Sequence, residues 1–277
     1  MREFLRELYR RNPPLVALGW LLIAAFLFAF VAAFFDSRTV TGVNTWIKPM
    51  KFCLSVTAYL WTLAWFLDYV RDSRRSFKTI SLSVTVVMFI EMVCIYSQAA
   101  RGVQSHFNFS TPYDATVFSM MGMMIYLNLL FDVWALGLFV VKKPDIPSSY
   151  LWGIRLGFLL FLIFAFQGQM MIAREAHSVG VPDGGPGLPM VNWSATGGDL
   201  RIAHALGMHA FQIIPLIGWL LFKYRERLNF AGSYPTAFTA LFSLIYAAVC
   251  FGLLAQALAG RPLISSMNEL LFKLAQL

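Results

Sequence analysis

The chain is 277 residues long, 58% hydrophobic and only 13% charged, with a mean hydropathy of +0.65. A soluble domain carries roughly 25% charged residues, so the composition excludes a soluble enzyme and a disordered chain alike and fits an all-α, polytopic membrane protein. The net charge of +8 would point to nucleic acid only if it formed one soluble face, and the distribution below gives it a different origin, so no nucleic-acid partner is expected.

Crossing a bilayer takes about 20 mostly apolar residues. Seven segments qualify: 14–35, 52–70, 79–98, 114–141, 151–173, 201–222 and 236–259. They form one membrane-embedded domain, a seven-helix bundle in the lipid bilayer. The first apolar run is too long for a cleavable signal peptide, and no small-residue cleavage site followed by a soluble domain accompanies it. Thirteen of the 22 Lys and Arg fall on one side of this topology: near the N-terminus, at 71–78, at 142–143 and at 223–227. Eight fall on the other side, among them Arg38, Lys48, Lys51, Arg101, Arg174 and Arg201. Arg155 lies just inside the fifth span, where its long stem can snorkel to the first side. Positive charge marks the cytoplasmic face, so the N-terminus is expected inside and the C-terminus outside.

The loop 174–200 is rich in glycine and proline but also holds Val181, Leu188, Met190 and Trp193. It reads as an ordered lid of tight turns over the outer end of the bundle. The tail from Leu263 to Leu277 is amphipathic at helical spacing and reads as an interfacial helix on the outer surface, or alternatively as a partner-binding helix. Cys53, Cys94 and Cys250 all fall in apolar segments without a CxxC pair, and read as free buried thiols. No internal repeat supports an inverted-repeat transporter.

The candidate chemistry lies at the outer end. His106, His177, His204 and His209 are the only histidines, and all four fall in outer halves or outer loops. Residues three and four apart share a helix face, which produces three polar stripes. The third span carries Glu91, Cys94, Gln98 and Arg101. The fifth carries Gln167, Met170, Arg174 and His177, and the sixth carries Arg201, His204, Met208 and Gln212. In lipid such stripes face the bundle interior or water, so one shared polar cavity opening outward is expected. His209 follows His204 by five residues, which turns the two rings about 140° apart; they cannot grip one ion as a pair. Either histidine alone can equally be a hydrogen-bonded structural residue. Glu91 sits in the apolar run IEMVCIY, as a proton carrier or general base for the cavity, or as an interhelical ion pair with Arg174 or Arg201.

Other features have plainer readings. Thr196-Gly-Gly-Asp199 and Thr111-Pro-Tyr-Asp114 are capping boxes for the sixth and fourth spans, which points positive helix ends into the vestibule. Outer-half methionines, such as Met88, Met92, Met120 and Met208, would suit Cu(I) beside histidine, but read first as lipid-phase packing. Asn128 and Asp132, four apart in the fourth span, are expected to hydrogen-bond a neighbouring helix. The sequons at Asn108 and Asn192 matter only in a glycosylating secretory pathway.

The stretches GVNTWIKPMKF (42–52), QAARG (98–102), DGGPGLP (183–189), Asn192-Trp-Ser and GDLRIAH (198–204) together resemble a family of polytopic bacterial inner-membrane proteins to which no activity is assigned. The resemblance covers most of the chain and implies a bacterial inner membrane. Retinal proteins, two-haem cytochromes b and the ceramidase-like hydrolases fit poorly. They need, respectively, a lysine in the last span, histidines at both faces, and paired histidines in the last span.

The expectation is therefore an outward-facing His/Arg/Glu site that binds one haem b or one transition-metal ion for redox or sensing. Two of His106, His177, His204 and His209 would be the ligands. Glu91 would handle protons, and Arg101, Arg174 or Arg201, with Gln98 and Gln212 in the same stripes, would hold propionates or a small anionic or quinone-like ligand. The alternatives are a small-anion transporter or receptor without metal, and an intramembrane enzyme on a lipid-like substrate with Glu91 and a histidine as acid and base.

Overall fold

The structure is a computed structural model, and it describes residues 2–188, 191–230 and 232–264. It is mostly helical: α1 (Arg2–Arg11), α2 (Pro13–Phe35), α3 (Ile47–Leu67, extended by a 3-10 turn Asp68–Val70), α4 (Arg74–Arg101), α5 (Pro112–Val141), α6 (Ser148–Gln167), α7 (Gln169–Arg174), α8 (Leu200–Lys223) and α9 (Tyr234–Leu258). Seven helical segments are long and apolar enough to cross a membrane, with α6 and α7 counting as one. This is the architecture of a multi-pass helical membrane protein. Two small antiparallel hairpins interrupt the all-α pattern: β1 (Thr39–Val40) with β2 (Val43–Asn44), and β3 (Ser178–Val179) with β4 (Gly198–Asp199). Of the amphipathic tail 263–277, all beyond Ile264 lies outside the described residues.

The basic N-terminal segment is itself a helix. In α1, Leu8 is fully buried, Phe4 stacks on Trp65, and Arg11 lies over the same indole at 4.0 Å while pairing with Asp68 at 3.3 Å. Buried Asn12 turns the chain into α2 and donates to Ser81 Oγ at 2.7 Å, tying this corner to α4.

Helices in lipid associate through close packing rather than through hydrophobic burial. The most extensive pair is α6 with α8. Gly207 of α8 lies against the Phe164 ring, where even a methyl group would collide. The Phe158 and Phe211 rings meet 4.4 Å apart, and Tyr59 of α3 stacks on Phe161 at 5.6 Å. Arg155 does more than snorkel. Its guanidinium donates to the carbonyls of Phe139 (2.8 Å) and Val140 (3.5 Å) and so caps the C-terminus of α5, satisfying carbonyls that the helix leaves open.

The loop 174–200 forms a hairpin in which Ser178 pairs with Asp199 and Val179 with Gly198. It is strapped down at several points. Asn192 donates to Thr41 O (3.1 Å), Lys51 to Val191 O (3.1 Å), and Arg201 to Asn192 O (2.6 Å). At Gly198 the strand backbone presses on the Ala257 carbonyl at the end of α9 and leaves no room for a side chain.

Candidate functional site

The site begins with a lysine that the sequence pattern assigned to a loop. Helix α3 starts at Ile47, five residues earlier than the apolar run, so Lys48 and Lys51 stand within its first turns. Lys48 Nζ lies 3.0 Å from His106 Nδ1, with Ser105 Oγ 3.1 Å from the same nitrogen. An ammonium has hydrogens to give and no lone pair, so Lys48 donates and His106 Nδ1 accepts. That places the imidazole proton on Nε2. Burial, then the adjacent Lys48 and the nearby His177 and His204, hold His106 well below the ordinary histidine range and keep the ring neutral.

Two of the other three histidines, His204 and His177, carry a proton on Nδ1 instead. His204 Nδ1 is 2.7 Å from the Phe164 carbonyl, and a carbonyl only accepts, so Nδ1 carries the proton. The Phe164 carbonyl is the group that the amide of Gly168 would take in a continuous helix. That amide bonds Ala165 O instead, and the fifth span breaks at Gly168 into α6 and α7. A side chain at Gly168 would crowd the His204 ring at 3.2 Å. His177 Nδ1 lies 2.7 Å from Asp183 Oδ2. Burial of Asp183 opposes ionisation, but the His177 ring and the backbone N–H groups of His177 and Ser178 outweigh it and hold the carboxyl well below the usual carboxylate range. The His177 ring also packs on Phe107 at 5.1 Å between centroids. His106, His177 and His204 thus come from a loop, the lid and α8, and His177 and His204 lie near enough to His106 to lower its basicity. Their Nδ1 atoms are all engaged.

Glu91 of α4 and Gln167 of α6 are both buried polar side chains. Glu91 is 2% exposed, and among the described residues no cation pairs with it. Among the described residues, five buried side-chain polar atoms lack a hydrogen-bond partner, and three of them are Glu91 Oε2 and both amide atoms of Gln167. Neither Arg174 nor Arg201 pairs with Glu91: Arg174 is exposed, and Arg201 is engaged by Asp199 (2.6 Å).

Several other expected members stand elsewhere. Gln98 and Arg101 both donate to Asp114 of α5, Arg101 also donates to Gln98 Oε1 (2.6 Å), and Thr111 caps the helix by accepting from the Asp114 amide. This knot holds α4 to α5, and the guanidinium rests on Tyr113. His209 is exposed and lies 3.4 Å from Gln212 Oε1, so both leave the group around His204. Thr196 is not the cap of α8. Asp199 is, accepting from the Arg201 amide (3.0 Å) and also from Ser194 N (2.7 Å), because the β4 pairing carries the chain past Thr196 before the helix begins. The sequence did hold one signal for the missed lysines. Lys48 and Lys51 are three apart around Pro49, the spacing of one helix face with proline in a first turn.

Among the described residues no three His, Cys, Asp or Glu side chains converge as a metal ion would require. Comparison with known proteins finds no matching family model, no matching curated protein and no matching solved structure.

Proposed function

We propose that the chain is a bacterial inner-membrane protein with its N-terminus in the cytoplasm, and that the lid end faces outward and binds a small anionic ligand. The observation that carries this reading is Lys48. Its ammonium is half-buried against a neutral imidazole at 3.0 Å, and among the described residues no carboxylate reaches it within ion-pairing distance. A cation taken from water without a partner is costly, and an incoming anion supplies one. Lys48 and the Nε2–H of His106 are the donors that would hold it, with Lys51 at the rim.

The reading is a receptor or sensor rather than a carrier. Phe158, Phe161 and Phe211 pack ring to ring in the core, and the polar groups beside them, Tyr59, Asn128 and Asp132, are bonded to one another. The test is thermal stabilisation of the purified protein by acetate, phosphate and chloride. Stabilisation by at least one anion that disappears in Lys48→Gln supports the reading. Stabilisation by none, or equal stabilisation of the variant, sinks it. Impermeant maleimide labelling of a cysteine placed in the lid tests the orientation.

One observation favours the metal or haem reading as a second choice. His177 and His204 hold their Nδ1 protons on a carboxylate and a carbonyl, the arrangement that metal-ligating histidines use to present Nε2. These two, and not His106 or His209, would be the ligands. A Soret band or stoichiometric metal in the purified protein, lost in His204→Ala, would establish it.

A further inference from the structure

His209 and Gln212 of α8 stand away from the group around His204, with His209 Nδ1 3.4 Å from Gln212 Oε1. The neighbours of α8 pack on its other faces. Gly207 meets the Phe164 ring of α6, and Ser149 of α6 donates to the Gly218 carbonyl (2.8 Å). Phe211 meets Tyr59 of α3 at 5.9 Å, and the Tyr246 hydroxyl of α9 donates to Leu206 O (2.6 Å). These contacts leave His209 exposed and Gln212 only partly covered. α8 has 24 residues, about 36 Å at 1.5 Å per residue. His209 and Gln212 therefore lie about 14 and 18 Å from its N-terminal end, near the middle of a hydrocarbon layer about 30 Å thick. Lipid tails form no hydrogen bonds, so a polar side chain at that depth turns to protein or to water.

The face around this pair is a helix-packing seam. Ala205, His209, Gln212, Leu216, Trp219 and Lys223 follow one another at alternating steps of four and three, and none of them is buried. That alternation is the line along which two helices wind left-handed about each other, and a polar side chain in it fixes register and the number of helices. The exposed stripe Met123, Leu127, Leu130 and Trp134 of α5 has the same spacing and is wholly apolar, as suits a face left to lipid.

We propose that a second copy of this chain covers the α8 stripe, α8 against α8 about a two-fold axis along the membrane normal, with Gln212 of each copy hydrogen-bonded to His209 of the other. A two-fold contact requires a self-complementary surface, and this pair supplies one. The Gln212 amide oxygen only accepts, so in the 3.4 Å contact His209 Nδ1 carries the proton and Nε2 keeps a lone pair. The Gln212 amide nitrogen has two hydrogens to give. Across the axis it donates to Nε2 of the other copy's histidine, and the same bond forms in reverse. In a parallel pair equivalent residues share one depth, and Gln212 lies only about 4.5 Å deeper than His209, within the reach of its side chain. The inference is independent of the anion reading.

The experiment is oxidative cross-linking of the full-length chain in membranes, with single cysteines introduced; the native Cys53, Cys94 and Cys250 are buried. Leu216→Cys is expected to give a disulfide-linked dimer, and Leu130→Cys on the apolar α5 stripe is expected to give none. Energy transfer between labelled copies in liposomes then reads the dimer fraction against the protein-to-lipid ratio. His209→Leu with Gln212→Leu should weaken dimerisation about ten-fold, the factor that two interhelical hydrogen bonds give in a bilayer. Leucine on a lipid-facing stripe should leave melting unchanged, and the Leu216→Cys result stands without that variant. A chain that stays monomeric at every ratio, equal cross-linking from Leu130→Cys and Leu216→Cys, or undiminished dimerisation of the double variant overturns the inference. So does cross-linking of Leu216→Cys only to a different polypeptide.

Discussion

Two sets of buried polar side chains among the described residues are built differently. In the first, Tyr59 donates to Asp132 Oδ1 at 2.8 Å and Asn128 donates to Oδ2 at 2.7 Å, so both carboxyl oxygens of a fully buried aspartate are used. In the second, Glu91 is almost as buried yet keeps Oε2 open, and Gln167 keeps its whole amide open. Polar residues in a membrane are expensive in either place. The closed cluster fastens α3 to α5 and leaves nothing for a ligand to bond. The open one fastens nothing with those atoms and leaves donors and acceptors free, so burial alone does not tell the two apart. Hydrogen-bond completeness does.

That contrast can be broken by substitution. The largest loss is expected at Asp132→Leu, which removes both bonds to the carboxylate and leaves Tyr59 and Asn128 only each other; unfolding free energy in a denaturing-detergent titration should fall by about 3 kcal/mol. Next comes Gly207→Val, which forces a side chain into the Phe164 ring and should cost about 2 kcal/mol by the same measurement. It should also disturb His204, which hangs on the Phe164 carbonyl. Glu91→Gln breaks no hydrogen bond made by the described residues and should change stability by less than about 0.5 kcal/mol. A loss there as large as that at Asp132 would erase the distinction between the clusters.

The smallest effect is local and depends on pH. The Asp183 carboxyl is held below its unfolded value by the His177 and Ser178 donors. Its contribution to the lid is therefore complete above the unfolded pKa of about 4 and is lost as pH falls through the lower folded value. Cleavage of the 178–199 hairpin by an acid protease should accordingly rise only below about pH 4. In Asp183→Asn that hairpin should already be open to cleavage at higher pH. A lid equally resistant at pH 2 and 5 in both forms would show that the Ser178–Asp199 strand pairing holds it without the carboxylate.

The polar stripes were legible because spacing on one helix is local information. Glu91, Gln167 and His204 could be named from it, and His106 from its place in a loop, whereas His177 stands in the lid past the end of α7, off any helical stripe. Spacing could not say which neighbour each would meet. Gln98 and Arg101 lie on the same stripe as Glu91, yet two to three turns further along they reach Asp114 and are spent on holding α4 to α5. Gln212 lies on the His204 stripe, two turns away, and meets His209 instead. Lys48 was hidden because charge counting places a lysine before an apolar run in the loop, while helical hydrogen bonding begins where the backbone allows it.

Hydropathy and length alone determined the seven membrane-crossing helices, because burying apolar surface in lipid requires a run of about 20 residues whatever its neighbours are. They also singled out the few polar residues inside those helices, of which Glu91, Gln98, Asn128, Asp132 and Gln167 are buried and His209 is exposed. Which of them remain open to a ligand was decided only by the tertiary structure. A hydrogen bond needs two groups from different helices at one depth and about 3 Å apart, and no periodicity within a single helix records that.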